Sequence, residues 1–303
     1  MTAWRDLADR SRLHTHVPLG PLTTYKMGGN ARLLVEAQER DDLVAVAAGL
    51  EETPLQVLVL GRGSNVLISD HGFDGLVLRL GAGFSWVEID ERDVTSGGAT
   101  PLPAMARTAA KSGRGSLEFF VGIPGSVGGA VRMNAGCLGS ETADVLRTAA
   151  VFDLSDGSES HRSPDQLELE YRHSNLGDLE VVTSATFETT QVDPETAEAE
   201  LRDVSRWRKD NQPGGTLNAG SVFKNPPGEA AGRIIDEAGL KGYRVGGVSV
   251  SMKHANFFVA EKEATAQNVH DLVTAVRDIV LERSGVTLVP EIRFVGEFEA
   301  GSE

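Results

Sequence analysis

Continuous and alternating apolar runs dominate the first two-thirds of the chain. Residues 55–60 (LQVLVL) and 76–80 (LVLRL) predict strands, and so do 84–89 (FSWVEI) and 181–187. A helix between them is punctuated by Thr100 as its cap, Pro101 in its first turn and Ser112-Gly113 as its stop. Residues 194–209 are helical in composition and end at the Pro213-Gly214-Gly215 turn. Residues 229–238 predict a short helix with Gly239 just past its end. A stronger helix follows, with Val269, Leu272, Val273, Val276, Ile279 and Val280 on one face and Ser284-Gly285 closing it. The last apolar runs, 287–289 and 292–295, predict strand around Pro290-Glu291. This mixture gives an α+β or α/β class, without repeats of fixed period.

A length of 303 residues suggests two domains and a cleft between them. The net charge of −15 argues against a protein that coats nucleic acid or anionic membrane. One cysteine, Cys137, excludes an intrachain disulfide framework and a four-cysteine metal site; it reads as a packed thiol. Seven histidines include no His-Glu-x-x-His and no helical i, i+4 pair, so no metal site is expected. The opening residues hold no apolar h-region and no stretch approaches the length of a membrane span, so a cytoplasmic protein is expected. Against this acidic background, residues 206–253 carry eight basic and four acidic side chains, a balance suited to a small anionic substrate.

Glycine is the compositional outlier, with 34 residues. Two segments concentrate the signal. Gly61-Arg62-Gly63-Ser64-Asn65 directly follows an apolar strand, an arrangement that presents several backbone N–H groups to a phosphate or simply makes a tight turn. It is neither the dinucleotide fingerprint nor a P-loop. Gly122-Ile123-Pro124-Gly125-Ser126-Val127-Gly128-Gly129 leads into Asn134-Ala135-Gly136, where glycines allow positive φ and close approach. Two such turns fit a long ligand with a diphosphate, such as FAD, although a glycine hinge is the alternative. Three single residues are chemical candidates: Ser221 in Ala219-Gly220-Ser221-Val222-Phe223-Lys224-Asn225-Pro226, Glu291 in an apolar strand, and Arg172 in Tyr171-Arg172-His173-Ser174. Alone, each has an ordinary reading: turn serine, edge-strand glutamate, surface ion-pair partner.

In order along the chain these motifs, with Ala238-Gly239-Leu240-Lys241-Gly242 and Pro290-Glu291-Ile292, resemble the UDP-N-acetylmuramate dehydrogenase family from about residue 23 to 296. The resemblance implies an α+β protein. A vanillyl-alcohol-oxidase-type FAD-binding fold of two α/β subdomains would span 1–205 together with the C-terminal strand 286–303. A smaller substrate-binding α+β domain would span 206–285. The spacing between Gly242 and Ser251 is similar to that of the shorter members, which lack an inserted tyrosine loop.

The implied reaction reduces UDP-N-acetylglucosamine enolpyruvate with hydride from NADPH by way of non-covalent FAD, in peptidoglycan precursor synthesis. The family pattern places Gly61, Arg62, Gly63, Ser64, Asn65, Gly122, Ile123, Pro124, Gly125, Ser126, Gly128, Gly129, Asn134 and Gly136 at FAD. It places Lys224, Asn225, Arg208, Lys209, Lys253 and His254 at the substrate. Arg172 would stabilise the developing enolate, Glu291 would assist as a carboxyl kept protonated by burial, and Ser221 would be the proton donor. No nucleic-acid partner, no membrane insertion and a monomer or weak oligomer are expected.

The chain departs from the pattern at Cys137, where a tyrosine is usual, at Asn211, where a basic residue is usual, and at Leu217-Asn218, where Pro-Ser is usual. These departures bear on contacts at the flavin edge and diphosphate. Two other readings keep most of the motifs: a flavin oxidase of an alcohol or sugar on the same fold, and a non-catalytic UDP-sugar or flavin-binding regulator. The first is disfavoured by the lack of a histidine in 122–136 for covalent attachment, the second by the presence of all three chemical candidates.

Overall fold

The apolar face read near the C-terminus becomes the helix Ala266–Ser284, which buries Ala266, Val269, Leu272, Val273, Val276 and Val280. Thr265 caps it, its hydroxyl accepting from Asn268 N–H in a capping box, and Gly285 ends it at φ 72°. The helix expected over 229–238 is Ala231–Glu237, with Gly239 beyond it at φ 70°. The helix Leu102–Lys111 starts one residue later than its cap signal suggests. The Thr100 hydroxyl is occupied with Trp86, accepting from its N–H at 3.1 Å and donating to its carbonyl at 3.0 Å, so Pro101 stands at the N-cap without a side-chain bond.

Strands shrink where turns intrude. The run 55–60 pairs only over Val57–Val59, parallel to Phe73–Leu80. The run 84–89 begins as a 3-10 turn, Ala82–Phe84, and is strand only over Val87–Ile89. At the C-terminal end the strand is Arg293–Val295, so Glu291 precedes it rather than lying within it. The backbone there serves another partner: Val289 O accepts from Lys224 N–H and Glu291 N–H donates to Val222 O, while Pro290 has no N–H to give.

The computed structural model describes residues 2–299, and the chain divides into two units. The first comprises Met1–His16, Arg32–Arg62 and Gly75–Trp207. Its five-stranded antiparallel sheet runs Glu159–Arg162, Leu146–Asp153, Glu180–Glu188, Asp93–Gly97, Val87–Ile89. Phe120 and Phe187 pack edge to face in the core beneath that sheet. A second core in this unit joins Leu7, Leu43 and Val46 of the first two helices to Leu76, Leu78 and Phe152. The other unit comprises Val17–Ala31, Gly63–Asp74 and Arg208–Glu303. It holds the three-stranded sheet Arg244–Val245, Val248–Val250, Phe258–Ala260, and the parallel pair Arg293–Val295 with Val66–Ile68. Its core gathers Val222, Phe223 and Phe258 with the buried face of Ala266–Ser284. Tyr25 is fully buried there and donates its hydroxyl to Phe258 O at 3.1 Å; burial raises its pKa, so it stays a neutral donor.

The segments expected to bind FAD, 1–205 and 286–303, include Met1 and residues 300–303, which lie outside the described residues. Among the described residues no helix is long and apolar enough to cross a membrane, and no group of His, Cys, Asp or Glu is arranged to hold a metal ion.

Candidate active site

In the first unit the two glycine segments meet. A Cβ on Gly61 would lie 2.7 Å from the Ser126 hydroxyl oxygen, and one on Gly129 would lie 3.4 Å from the same atom with nothing else within reach. Both glycines are exposed and Ser126 is buried, so bare backbone borders a hydroxyl on both sides. That hydroxyl caps the helix Val127–Met133, accepting from Gly129 N–H.

Positive φ is not what the glycines of the second segment use. The left-handed residues of that stretch are Gly113, Ser116, Asn134, Leu138 and Gly139, whereas Gly122, Gly125, Gly128, Gly129 and Gly136 are not among them. Close approach is the reason instead: a Cβ on Gly136 would fall 2.7 Å from Ser140 O, and one on Gly128 3.2 Å from both Gly98 O and Val182 O. Ile123 and Gly125 are half-buried, and Pro124 is exposed. Gly122 lies at the end of the 3-10 turn Glu118–Gly122.

Asn134 ties this segment to Arg172. Its buried amide donates to Glu170 O at 3.0 Å and accepts from Ala143 N–H at 2.8 Å. Glu170 and His173 close a tight turn through two backbone bonds, which lifts Tyr171 and Arg172 to its tip, Arg172 with φ 56°. The half-buried guanidinium reaches back to Asn134 O and Gly136 O, each at 3.4 Å, and its Cζ lies 5.1 Å from the Tyr171 ring centroid. Cys137 packs at the margin of the first unit's core, in the short strand Gly136–Cys137 paired with Ser140–Glu141. Arg62 is exposed.

In the second unit Gly63 has φ 61°, and a Cβ there would clash with Leu22 O at 2.4 Å. The half-buried Ser64 and Asn65 follow; Asn65 donates its amide to Glu291 O at 2.9 Å, and its own carbonyl accepts from Arg293 N–H at 3.0 Å. Glu291 in turn donates its N–H to Val222 O at 2.7 Å. The Ser64-Asn65 turn, Glu291 and the segment starting at Ser221 are thus joined by main-chain geometry.

Ser221 lies opposite Phe257 in an antiparallel bridge, and Phe223 opposite Pro290, so the segment 221–224 is held from both sides. Ser221, Lys224 and Glu291 are all half-buried. Asn225 is exposed, and its Oδ1 accepts from Ala231 N–H at 3.0 Å at the start of the helix Ala231–Glu237.

The remaining basic candidates fall into two groups. Lys253 donates Nζ to Lys209 O, and Arg208 donates Nε to Gln212 Oε1 at 2.7 Å. His254 is half-buried, its Nδ1 accepts from Asn256 N–H at 3.3 Å, and burial lowers its pKa, with the charge of Lys241 acting in the same direction. Its ring is therefore neutral at pH 7.

The comparisons with known proteins agree over most of the chain. Residues 31–161 match the FAD binding domain family, and residues 212–295 match the C-terminal domain family of UDP-N-acetylenolpyruvoylglucosamine reductase. The UDP-N-acetylenolpyruvoylglucosamine reductase of Caulobacter vibrioides is 40% identical over 95% of this chain and 96% of its own, and that of Paramagnetospirillum magneticum is 38% identical over 97% and 95%. The chain belongs to the UDP-N-acetylenolpyruvoylglucosamine reductase family.

The crystal structure of the family member from Thermus caldophilus is similar at a TM-score of 0.81 and 37% identity, covering 92% of this chain and 98% of that one. The expected α+β fold, an FAD-binding fold followed by the reductase's C-terminal domain, is therefore present, and the chain is a flavin-dependent oxidoreductase. The residues fit FAD on local grounds as well. The glycine-bordered hydroxyl of Ser126 is a surface that any side chain at 61 or 129 would cover.

One residue of the reductase's second unit escaped the reading of its sequence. Asn256 is a single buried amide inside the apolar run 255–258, and its polarity there was the available signal.

Proposed function

We propose that the chain catalyses the reduction of UDP-N-acetylglucosamine enolpyruvate to UDP-N-acetylmuramate in peptidoglycan precursor synthesis, with FAD as cofactor and NADPH as hydride source. When bound, FAD supplies the relay of hydride from NADPH to the substrate. Gly61, Arg62, Gly63, Ser64 and Asn65 would hold it with Gly122, Ile123, Pro124, Gly125, Ser126, Gly128, Gly129, Asn134 and Gly136. Gly128 contributes close approach rather than a donor, because its N–H is given to Gly98 O at 2.9 Å. Residues 1–205 and 286–303 serve FAD in this reading, and 206–285 the substrate. The pairing of Arg293–Val295 with Val66–Ile68, next to the first glycine turn, supports grouping the C-terminal strand with the FAD segments.

Hydride addition to C3 of the enolpyruvyl ether puts negative charge on C2 and the carboxylate, and a proton must then reach C2. Arg172 stabilises that charge through a fork no lysine reproduces, with Glu291 assisting. Ser221 gives the proton, and the charge of Lys224, three residues on in the same segment, would make the hydroxyl a better acid. Lys224 and Asn225 hold the substrate, together with Arg208, Lys209, Lys253 and His254. The observation that carries this reading is the hydrogen bond from Glu291 N–H to Val222 O, which seats Glu291 against the Ser221 segment in a chain of this family. We place the protein in the cytoplasm as a monomer or weak oligomer without a nucleic-acid partner, in keeping with its −15 charge.

An anaerobic single-turnover experiment tests the activity. Enzyme bleached with NADPH should regain its flavin absorbance on addition of UDP-N-acetylglucosamine enolpyruvate, and an unchanged spectrum would refute it. The cofactor surface has its own test. Gly61→Val would push a side chain onto the Ser126 hydroxyl, and overpacking of this kind costs about 1–3 kcal/mol. FAD affinity, followed by flavin fluorescence on dilution, should fall about 5- to 150-fold for that range, and unaltered retention would exclude Gly61 from the cofactor surface.

A further inference from the structure

Main-chain pairing holds the Ser221 segment up to Val222: Val222 N–H donates to Asn256 O at 2.9 Å, and Val222 O accepts from Glu291 N–H at 2.7 Å. One residue further the ladder on the 254–258 side runs out of backbone. There the chain folds on itself, with Phe257 N–H donating to His254 O and Asn256 N–H to His254 Nδ1. Phe223 would be left with an N–H and a carbonyl in a fully buried position. The side chain of Asn256 takes both. Its Oδ1 accepts from Phe223 N–H at 2.9 Å and its Nδ2 donates to Phe223 O at 2.8 Å. The amide stands in for a strand residue and adds one rung, at 3% exposure, where water does not compete.

We propose that Asn256 is the positioning residue that sets the placement of Ser221 and Lys224 for proton delivery, by pinning the backbone of Phe223 between them. The proposal rests on the reading of Ser221 as proton donor. Among residues of its size, asparagine offers a neutral acceptor and donor side by side at every pH. An apolar residue leaves two buried backbone groups unpaired, and an ionised aspartate sets a lone pair against Phe223 O. A protonated aspartate, by contrast, has the acceptor and donor of the amide in the same places. A small displacement of an acid from its target is enough to slow a proton transfer, about 10²-fold for roughly 1 Å.

Three variants of the holoenzyme decide the matter, Asn256→Leu, Asn256→Asp and Ser221→Ala, with both half-reactions followed by stopped flow over roughly pH 5 to 9, the range in which a buried carboxyl titrates. Both Asn256 variants should bleach with NADPH at the wild-type rate. Asn256→Leu should reoxidise with substrate about 10- to 100-fold more slowly at every pH. Asn256→Asp should be as slow at high pH and recover as the pH falls through the raised pKa of the introduced carboxyl, because protonation restores the donor to Phe223 O. His254, whose ring accepts from Asn256 N–H, and Lys224 and Glu291 on the flanking segments are present in wild type and variant alike. The ratio of variant to wild-type rate is therefore the quantity read.

In a Ser221→Ala background neither Asn256 change should slow reoxidation further. Equal slowing of both half-reactions, a wild-type reoxidation rate, or full additivity with Ser221→Ala would each overturn the proposal. Wild-type reoxidation in Ser221→Ala alone would instead overturn the donor reading. Should Asn256→Leu fail to fold, Asn256→Asp at low pH, which is nearly isosteric with wild type, still gives the recovery or its absence.

Discussion

Ser221→Ala is expected to leave bleaching by NADPH unchanged and to slow reoxidation by the enolpyruvyl substrate about 10²- to 10⁴-fold, the usual worth of a positioned general acid. The asymmetry follows from the chemistry. No proton is needed at carbon until hydride has reached C3, so a missing hydroxyl affects only the later half-reaction. A free serine hydroxyl is a poor acid in water. Ser221 is half-buried, bridged to Phe257 and three residues from the half-buried Lys224, in a segment fixed from two sides. Equal rates for wild type and variant in the second half-reaction would remove Ser221 from proton delivery, and a solvent isotope effect on reoxidation in wild type should vanish or change in the variant.

Asp42→Ala is expected to destabilise the first unit by about 3 kcal/mol, the lower end of the range for breaking a buried ion pair. Asp42 is fully buried in the first turn of the helix Arg40–Glu52, where its Oδ2 accepts from Gln38 N–H at 2.7 Å and Glu39 N–H at 3.2 Å. Arg10 Nη1 lies 2.7 Å from Oδ1 and Arg12 Nε 3.3 Å from Oδ2. The truncation strands two N–H groups and leaves two guanidinium groups facing a void. Those arginines keep 29% and 30% exposure, so water takes up part of the loss, and Oδ1 accepts no well-aligned hydrogen bond. The lower end of the range is therefore the right one. Asn at this position keeps an acceptor for the two N–H groups and should lose less. Denaturant unfolding measures both, and a change within about 0.5 kcal/mol for Asp42→Ala, as at an ordinary surface site, would mean the pair contributes little.

Sequence and structure diverge in an instructive way. Helices with an apolar face and a glycine stop, such as Ala266–Ser284, are legible because both signals are local. Ser221, Arg172 and Glu291 are legible only through the order of their motifs, since each has an ordinary role when taken alone. What sequence does not carry is which backbone groups are already spoken for. Thr100 looks like a cap but is bound to Trp86, and Glu291 looks like strand but gives its N–H to Val222. Gly128 looks like a phosphate donor but gives its N–H to Gly98. Each of these partners is distant along the chain, so no periodicity announces it. Asn256 is the same lesson from the other side: a polar residue in an apolar run is visible, but the rung it supplies is not.

The parallel pairing of Arg293–Val295 with Val66–Ile68 has a consequence for how the protein comes into being. A unit stitched from early, middle and late segments cannot close while its last segment is still being translated, whereas most of the first unit has emerged by then. The joining of widely separated segments also makes this closure slow. A newly made molecule should therefore pass through a stage in which the Ser221 segment lacks one of its two flanking supports. Catalysis begins only once Arg293–Val295 has taken its place beside Val66–Ile68.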